Sequence, residues 1–236
     1  MRGRIQERNV NELSFSEEID VATSIYNKDV YFCIIMYMKM KLTSVLAIAA
    51  IGLFSAFKPA LKTESFTVDT KNSSIKWLGE KVTGKHFGTI NLSSGSLNFN
   101  GNKLAGGSFT ADMNSIVATD VQGETAQKLE GHLKADDFFG TAKYPTSTFK
   151  ITKVAPAGAN QVNITGDLTI KGITKALTFP ATVKRQNNAV VAVAKGVKVD
   201  RTKYDIRYNS KSFFESIGDK AIYDDFVLDF NLVAKK

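Results

Sequence analysis

The feature that most constrains the fold is a two-residue alternation of apolar and polar side chains, which runs from Ser65 almost to the C-terminus. Successive side chains of a β-strand point to opposite faces, so the alternation predicts strands with one dry and one wet face. The apolar members of the successive runs are Phe66 and Val68; Ile75 and Trp77; Ile90 and Leu92; Leu97 and Phe99; Phe109, Ala111 and Met113; Phe149 and Ile151; Val162, Ile164, Leu168 and Ile170; Leu177 and Phe179; Val191 and Val193; Val197 and Val199; and Phe226, Leu228, Phe230 and Leu232.

The connections between these runs are short and have the composition of turns, as in Asn100, Gly101 and Asn102. Strands joined by short turns pair in antiparallel fashion. The opposite face is polar, since Asp167 and Thr169 alternate with the apolar positions of their strand. A sheet with one wet and one dry face curls around its own core. The sequence therefore predicts an all-β antiparallel barrel or sandwich that occupies residues 61–236 as a single domain.

One stretch, residues 123–149, does not follow the two-residue alternation. Ala126, Leu129 and Leu133 recur at helical spacing, with His132 beside the same face, which predicts a short helix over about residues 123–134. We expect this helix to lie near one end of the strand body. Gly131 falls inside it, and because glycine weakens a helix by roughly 1 kcal/mol relative to alanine, we expect another group to approach closely there.

The N-terminal part carries a predicted export signal. Two lysines, Lys39 and Lys41, precede an almost wholly apolar run at residues 42–57, which has the pattern of a signal segment and is short for a membrane span. We assign residues 38–60 to this segment and predict a periplasmic or secreted protein. Residues 1–37 are charged and unpatterned, and we interpret them as an unstructured extension upstream of the true start site. An uncleaved anchor is the alternative.

Composition narrows the function classes. The formal net charge is +8, but the charges are scattered singly along the chain, which is not the pattern of a nucleic-acid footprint. Contact with a membrane surface is compatible with this charge. The one cysteine, Cys33, lies upstream of the predicted domain, and His86 and His132 are the only histidines. We therefore expect no metal site, no cofactor and no thiol nucleophile.

Four motifs occur in order along the predicted domain. The first contains a tryptophan, glycines and a histidine; the second begins at the end of the predicted helix; the third and fourth lie in the last third of the chain. They are Trp77, Gly79, Lys81, Gly84, His86 and Gly88; His132, Leu133, Asp137, Phe138, Phe139, Tyr144, Pro145 and Phe149; Gly166, Leu168, Thr169, Ile170, Gly172 and Thr174; and Asp200, Arg201 and Tyr204. Together, these motifs resemble the YceI-like family of exported proteins.

The resemblance implies an antiparallel, lipocalin-like barrel of about eight strands whose interior holds a long isoprenoid or other lipid chain. A barrel of this size can either hold one slender ligand or fill itself with side chains, so a packed core is the alternative. The candidate lining residues, taken from the alternation, are Phe99, Phe109, Met113, Phe149, Ile151, Leu168, Ile170, Phe226, Leu228 and Phe230.

Four residues are candidates for contact with a ligand head group: His86, His132, Arg201 and Tyr204. Three of them, His86, His132 and Arg201, also have an alternative interpretation. His132 would tie the helix to a strand carbonyl, His86 would be an exposed residue of a turn beside Lys85, and Arg201 with Arg207 would form a surface fork with Asp200 or Asp205.

We expect a non-enzymatic, exported protein that binds or carries a long-chain lipid. A small hydrolase or isomerase acting on such a lipid is the alternative, with His132 and Asp136 or Asp137 as acid and base. A packed-barrel interaction module without a ligand is the third class. A Gly-x-Ser-x-Gly nucleophile motif and a phosphate-binding glycine loop before a helix are both absent from the sequence, which makes an enzyme the weaker class.

Overall fold

The computed structural model describes residues 62–236 and, before them, Val30, Phe32, Cys33 and residues 35–37. These earlier residues are helical and exposed. The remaining positions of the predicted extension, residues 1–37, and the whole predicted signal segment, residues 38–60, lie outside the described residues. Both interpretations therefore stay predictions. The barrel belongs to a compact unit that comprises Leu61–Lys236.

The described unit consists of nine antiparallel strands and one α-helix, α1, which comprises Gly123–Lys134. Two short 3₁₀ turns, Arg201–Tyr204 and Gly218–Lys220, precede the last strand. The strands are β1 (Thr63–Val68), β2 (Ser74–Lys81), β3 (Gly84–Asn100), β4 (Lys103–Ala118), β5 (Thr146–Gly158), β6 (Gln161–Ile170), β7 (Ile173–Gln186), β8 (Ala189–Asp200) and β9 (Ile222–Lys235).

The sheet closes into a barrel because β3 pairs both with β4 and with β1 and β2. β1 and β2 each pair with β3 on one side and with β9 on the other, so the two short strands together take the place of one strand in the barrel. At the break between them, the backbone amide of Asp69 donates to the carbonyl of Val233 at 2.8 Å. The predicted all-β, lipocalin-like barrel of about eight strands with one short helix is confirmed.

The core lies on the inner faces of the strands, as the alternation predicts. In β6, for example, Ile164, Leu168 and Ile170 are buried while Asn163 is exposed. Glycines on the inner face allow other groups to approach closely: a Cβ added at Gly88 would overlap the carbonyl oxygen of Val117 and lie 2.9 Å from Cε2 of Trp77. Such a close approach explains why glycine occupies this position of the first motif.

β8 departs from the predicted alternation in its first half. Val190, Ala192 and Ala194 are buried, whereas Val191 is 40% exposed, so the inward direction expected for Val191 is wrong. The register shifts between Ala194 and Val197, where Gly196 adopts a left-handed φ of 68°. A bulge adds one residue and reverses the inward parity. Val197 and Val199 are therefore buried, as expected.

Helix α1 packs against the barrel through Leu129 and Leu133, and none of its residues is fully buried. Oε1 of Glu130 accepts a hydrogen bond of 3.0 Å from the backbone amide of Ala118, which fixes the helix to the end of β4. The expectation of a close approach at Gly131 is wrong, because a Cβ at this position would meet nothing within 4 Å. Gly131 is simply exposed to solvent.

Candidate ligand-binding site

The barrel encloses a cavity with a volume of about 160 Å³. Every strand except β1 contributes to its wall, and all but three of its lining residues are apolar; the three polar ones are Ser147, Thr148 and Arg201. A cavity this apolar offers water almost no hydrogen-bonding partners, so it favours hydrocarbon over water. A fully packed barrel, the third class considered above, would contain no such space.

Nine of the ten predicted lining residues line this cavity: Phe109, Met113, Phe149, Ile151, Leu168, Ile170, Phe226, Leu228 and Phe230. Several of their rings form a ladder across the interior. Phe149 lies 6.5 Å from Phe109 and 5.5 Å from Phe179, which in turn stacks at 5.9 Å on Phe230. These nine residues lie on β4, β5, β6 and β9. Whether they contact a ligand stays a prediction.

The tenth predicted residue, Phe99, is buried but lies apart from the cavity. It packs edge-on against Phe66 at 5.4 Å, and the guanidinium of Arg185 covers both rings at 4.8 Å and 5.3 Å. Arg185 also pairs with Glu64 and donates to the carbonyl of Gly101. The hydrogen bond from Arg185 holds the pKa of the Glu64 carboxyl below its usual range. This cluster seals one end of the barrel.

The opposite end is covered by α1 and the segments next to it. Leu133 of the helix, Phe138 and Phe139 after it, and Ile206 after the first 3₁₀ turn all line the cavity. Phe139 meets Phe226 of the wall edge-on at 6.2 Å. The cover is therefore apolar on its inner side, and it consists of loops and a half-buried helix instead of paired strands.

His132 lies at this covered end but outside the cavity lining. Its Nε2 is 3.1 Å from Oδ2 of Asp137, and its ring meets those of Phe138 and Tyr208 edge-on at 4.9 Å and 4.5 Å. The partner of His132 is therefore a carboxylate and not the strand carbonyl of the alternative interpretation. Asp136 is exposed, and its backbone carbonyl accepts a hydrogen bond of 2.8 Å from Nζ of Lys171.

His86 also pairs with a carboxylate, since its Nδ1 lies 2.8 Å from Oδ2 of Asp120. The other oxygen of Asp120 accepts from the backbone amide of Phe87 at 3.1 Å. Burial raises the pKa of Asp120, but the hydrogen bonds from His86 and Phe87 outweigh it and leave the pKa below its ordinary value. His86 thus fixes the start of β3 to the residues after β4, and it does not line the cavity.

Arg201 is the one predicted head-group residue that lines the cavity. It is 3% exposed, so the surface-fork alternative is wrong for it. Its guanidinium donates to the carbonyls of Ile206, Ile222 and Tyr223 at 2.8, 3.0 and 3.1 Å, and it lies 3.6 Å from Oδ1 of Asp224. Burial lowers the pKa of Arg201, while Asp224 and Asp200 act in the opposite direction.

Tyr204 and Arg207 have different surroundings. Tyr204 is buried, and burial, with Asp200 acting in the same direction, raises the pKa of its phenol to about 12. Arg207 is exposed and pairs with Asp205 at 2.8 Å, as the fork alternative predicts. The four head-group candidates therefore do not converge on one point: two are bound to carboxylates, one to backbone carbonyls, and one is packed in the core.

Comparison with known proteins identifies the family. The family model for the YceI-like domain matches residues 66–234, which is most of the chain. The chain belongs to the YceI-like family. The resemblance carried by the four motifs is thereby confirmed.

Relatives of this YceI-like chain occur in several bacteria. It is 31% identical over 128 residues to a UPF0312 protein of Shewanella denitrificans, a match that covers 52% of this chain and 63% of the relative. It is 36% identical over 95 residues to Protein YceI of Escherichia coli O157:H7, covering 40% of this chain and 47% of that one. The matched part thus spans less than two thirds of each relative.

Two solved structures share the fold of this YceI-like domain. The crystal structure of Burkholderia cenocepacia BcnA aligns with a TM-score of 0.59 at 24% identity, covering 71% of this chain and 99% of that one. A polyisoprenoid binding domain from Saccharophagus degradans, implicated in plant cell wall breakdown, aligns with a TM-score of 0.53 at 16% identity, covering 72% and 97%. At these sequence identities, the similarity shows a shared fold.

The YceI-like cavity includes residues that were not predicted to line it. Trp77 lines it and donates from Nε1 to the carbonyl of Val117 at 3.2 Å. Ser147 lines it as well, and its place was readable from the sequence, because it shares parity with Phe149 and Ile151 on β5. Phe138 and Phe139 do not belong to an alternating strand, so only the tertiary structure shows that they line the cavity.

Two further findings on the described residues of the YceI-like chain concern metal-binding groups and membrane-spanning helices. Within that part, His, Cys, Asp and Glu side chains form no group of three suited to hold a metal ion. Among the helices of the same residues, none combines the length and the apolar character needed to cross a bilayer.

Proposed function

We propose that this YceI-like domain binds a long, slender apolar ligand, such as a polyisoprenoid chain, inside the barrel and carries it without chemical change. The observation that supports this most directly is the interior cavity of about 160 Å³, whose wall contains only three polar residues. A second support is the Saccharophagus degradans neighbour, which has the same fold and is a polyisoprenoid binding domain.

The physical driving force is the burial of hydrocarbon. Each Å² of apolar surface removed from water contributes about 25 cal/mol, and a chain inside the barrel would bury nearly all of its surface. An empty cavity also leaves its lining atoms without van der Waals partners on one side. Both terms favour an occupied barrel over an empty one.

We propose that the ligand enters at the α1 end. The opposite end is sealed by Phe66, Phe99 and Arg185, whereas α1 has no fully buried residue. The loop after the first 3₁₀ turn lies at the same end, since its Tyr208 contacts His132, and it exposes the large apolar side chains Phe213 and Phe214 at 45% and 53%. These rings would give this end transient contact with a membrane surface during loading.

The test is recovery of the ligand from protein purified without detergent, by mass spectrometry of an organic extract. We expect a long-chain lipid in the wild type. Ala194→Phe places a ring inside the cavity and should reduce the recovered lipid severalfold. Val191→Phe, which adds the same ring to the outer face of the same strand, is the matched control and should retain it. Repeated recovery of empty wild-type protein, with no uptake of added polyisoprenol, would refute the proposal.

We propose no catalytic step. His132 and Asp137 are the one predicted acid and base pair in contact, and both lie outside the cavity lining. The ligand should therefore be recovered unchanged after long incubation with the protein. Conversion of the ligand that disappears in His132→Ala would replace the carrier proposal with the hydrolase or isomerase alternative.

We also propose export, on the strength of the apolar run at residues 42–57 behind Lys39 and Lys41. N-terminal sequencing of protein recovered from its native compartment should find a first residue near position 60. A protein that begins at Met1 would contradict both the signal and the late start site.

A further inference from the structure

Ser147 places an isolated hydroxyl group inside the apolar cavity. It lies at the start of β5, opposite Ala111 of β4, and both residues line the cavity. The Oγ atom is buried and has no hydrogen-bond partner among the residues that the structure describes. A buried hydroxyl without a partner destabilises the folded state, whereas alanine would fill the same volume without that cost. The position therefore calls for a partner that is not part of the chain.

Several hydroxyls on the outer face of the same sheet have hydrogen-bond partners within the chain. Oγ1 of Thr165 lies 2.9 Å from Oγ1 of Thr178, and Oγ1 of Thr169 lies 2.8 Å from Oγ1 of Thr174. Thr152, on the same strand as Ser147, donates to the carbonyl of Thr165 at 3.2 Å. Ser147 differs from these residues because its hydroxyl is buried and has no partner among the described residues.

The charges around the cavity restrict what the partner can be. Arg201 is the one cationic side chain in the lining, and three backbone carbonyls and Asp224 already surround its guanidinium. A phosphate or carboxylate in this space would lose its hydration without gaining a free cation, because Asp224 already pairs with Arg201. A neutral group, in contrast, needs only the one hydrogen bond that Ser147 offers.

The position of Ser147 also sets the orientation of the ligand. It is the second residue of β5, and this strand begins directly after the segment that follows α1. From Ala111, opposite Ser147, the wall of β4 continues for seven residues to Leu104, which also lines the cavity. At about 3.3 Å per residue and a strand tilt near 40°, this leaves roughly 18 Å of apolar depth below the hydroxyl.

We propose that Ser147 hydrogen-bonds a single neutral polar group of the ligand, such as a hydroxyl, carbonyl or amide, so that the cavity selects long-chain lipids with an uncharged head over anionic ones. This inference rests on the proposed lipid-binding function. It adds the chemical class of the head group, the residue that contacts it and the direction in which the chain lies, with the tail toward the end sealed by Arg185.

The test compares three isoprenoids of equal chain length: geranylgeraniol, geranylgeranyl diphosphate and the hydrocarbon phytane. Their affinities are measured by displacement of a fluorescent naphthylamine dye from delipidated protein. We expect the wild type to bind the alcohol about tenfold more tightly than the hydrocarbon and more tightly than the diphosphate. Ser147→Ala should abolish the preference for the alcohol and leave phytane affinity unchanged.

Two further variants serve as controls. Ser147→Ala combined with Ala111→Ser returns a hydroxyl to the facing position and should restore part of the preference. Thr152→Ala removes a hydroxyl from the outer face of the same strand and should leave the preference unchanged. Without ligand, Ser147→Ala should melt at or above the wild-type temperature, because it removes an unpaired polar atom.

The outcomes separate this inference from the proposed function. Equal binding of alcohol and hydrocarbon by the wild type, an unaltered preference in Ser147→Ala, or tightest binding of the diphosphate would overturn the role of Ser147 while the lipid-binding function stands. A wild type that binds none of the three would overturn both. A large drop in the melting temperature of Ser147→Ala would reveal a partner within the chain and would also overturn the inference.

Discussion

At the scale of single residues, Arg201 illustrates how a charged side chain can line an apolar cavity. Three carbonyl oxygens and Asp224 surround its guanidinium, and each carbonyl belongs to the segment from Ile206 to the start of β9. A charge that is already matched in this way holds the loop and strand together. It has little left to offer an anionic ligand.

Replacing the buried Arg201 should destabilise the protein more than replacing the exposed Arg207. Arg201→Met leaves three carbonyls without their donor and Asp224 without its nearest cation, so the free energy of unfolding should fall by about 3–5 kcal/mol. Arg207→Met breaks an exposed ion pair and should cost less than about 1 kcal/mol. Urea denaturation of both variants measures the difference. Equal losses would mean that Arg201 is not the structural centre of this loop.

Substitution by alanine should have opposite effects on stability at Gly131 and at Gly88. Gly131→Ala adds a methyl group to an exposed helical position with open space around it, so we expect the free energy of unfolding to rise by about 0.5–1 kcal/mol. Gly88→Ala forces a Cβ against the carbonyl of Val117 and the ring of Trp77, and should destabilise the barrel by about 3 kcal/mol or more. Thermal melting compares the two. A destabilising Gly131→Ala would indicate a contact at the helix surface that this arrangement lacks.

Tyr204 predicts a dependence of stability on alkaline pH. Its pKa is raised by burial from about 10 in the unfolded chain to about 12, so the protonated phenol favours the folded state. This contribution is fully present below pH 10 and is lost as the pH rises through 12. Urea midpoints between about pH 9 and 12 should therefore fall more steeply for the wild type than for Tyr204→Phe. Parallel curves would contradict the assignment.

At the scale of elements, the strands and the helix differ in how firmly they are held. β6 pairs with β5 on one side and β7 on the other over nearly its whole length. Helix α1 has only half-buried apolar residues, with the bond from Ala118 to Glu130 as an additional tie. An element with few buried contacts opens at lower free energy than a central strand. This difference suits α1 to act as the cover of the cavity.

Amide hydrogen exchange under native conditions tests this difference. We expect the amides of α1 to exchange through openings of lower free energy than those of β6. Addition of polyisoprenol should slow exchange in α1 more than in β6, since a bound chain would contact Leu133 beneath the helix. Equal protection of the two elements in the empty protein would argue against α1 as the cover.

At the scale of the whole molecule, the barrel has one sealed end, one covered end and an apolar space between them. The seal formed by Arg185, Phe66 and Phe99 and the cover formed by α1 lie at opposite ends of the same strands. Stability and binding are coupled in such a molecule, because a ligand that binds only the folded state raises its apparent stability.

Phe230 tests this coupling. It lines the cavity and stacks on Phe179, so part of its contact surface faces the space that a ligand would fill. In a packed core, Phe230→Ala would cost about 3–5 kcal/mol; here the loss in the delipidated protein should be smaller. Added polyisoprenol should raise the melting temperature of the wild type more than that of the variant. Equal melting with and without lipid, beside a large loss in the variant, would instead favour a packed core.

The sequence by itself determined the element types and most inward faces. The two-residue period of Phe226, Leu228 and Leu232, like the helical spacing of Ala126, Leu129 and Leu133, follows from local backbone geometry, which needs no knowledge of the rest of the chain. Strand parity therefore predicts nine of the residues that line the cavity. The same parity places Ser147 on the inner face, although its polar side chain sets it apart from the apolar pattern.

Only the tertiary structure decided where that parity reverses, which way the charges point and whether the interior is open. The bulge at Gly196 depends on pairing with β9, whose Asp229 accepts from the Gly196 amide at 2.8 Å. Arg201 turns inward because carbonyls from a later loop meet it there. The cavity remains because inward side chains from eight strands do not fill the barrel. These outcomes depend on contacts between residues far apart in sequence, which no local period encodes.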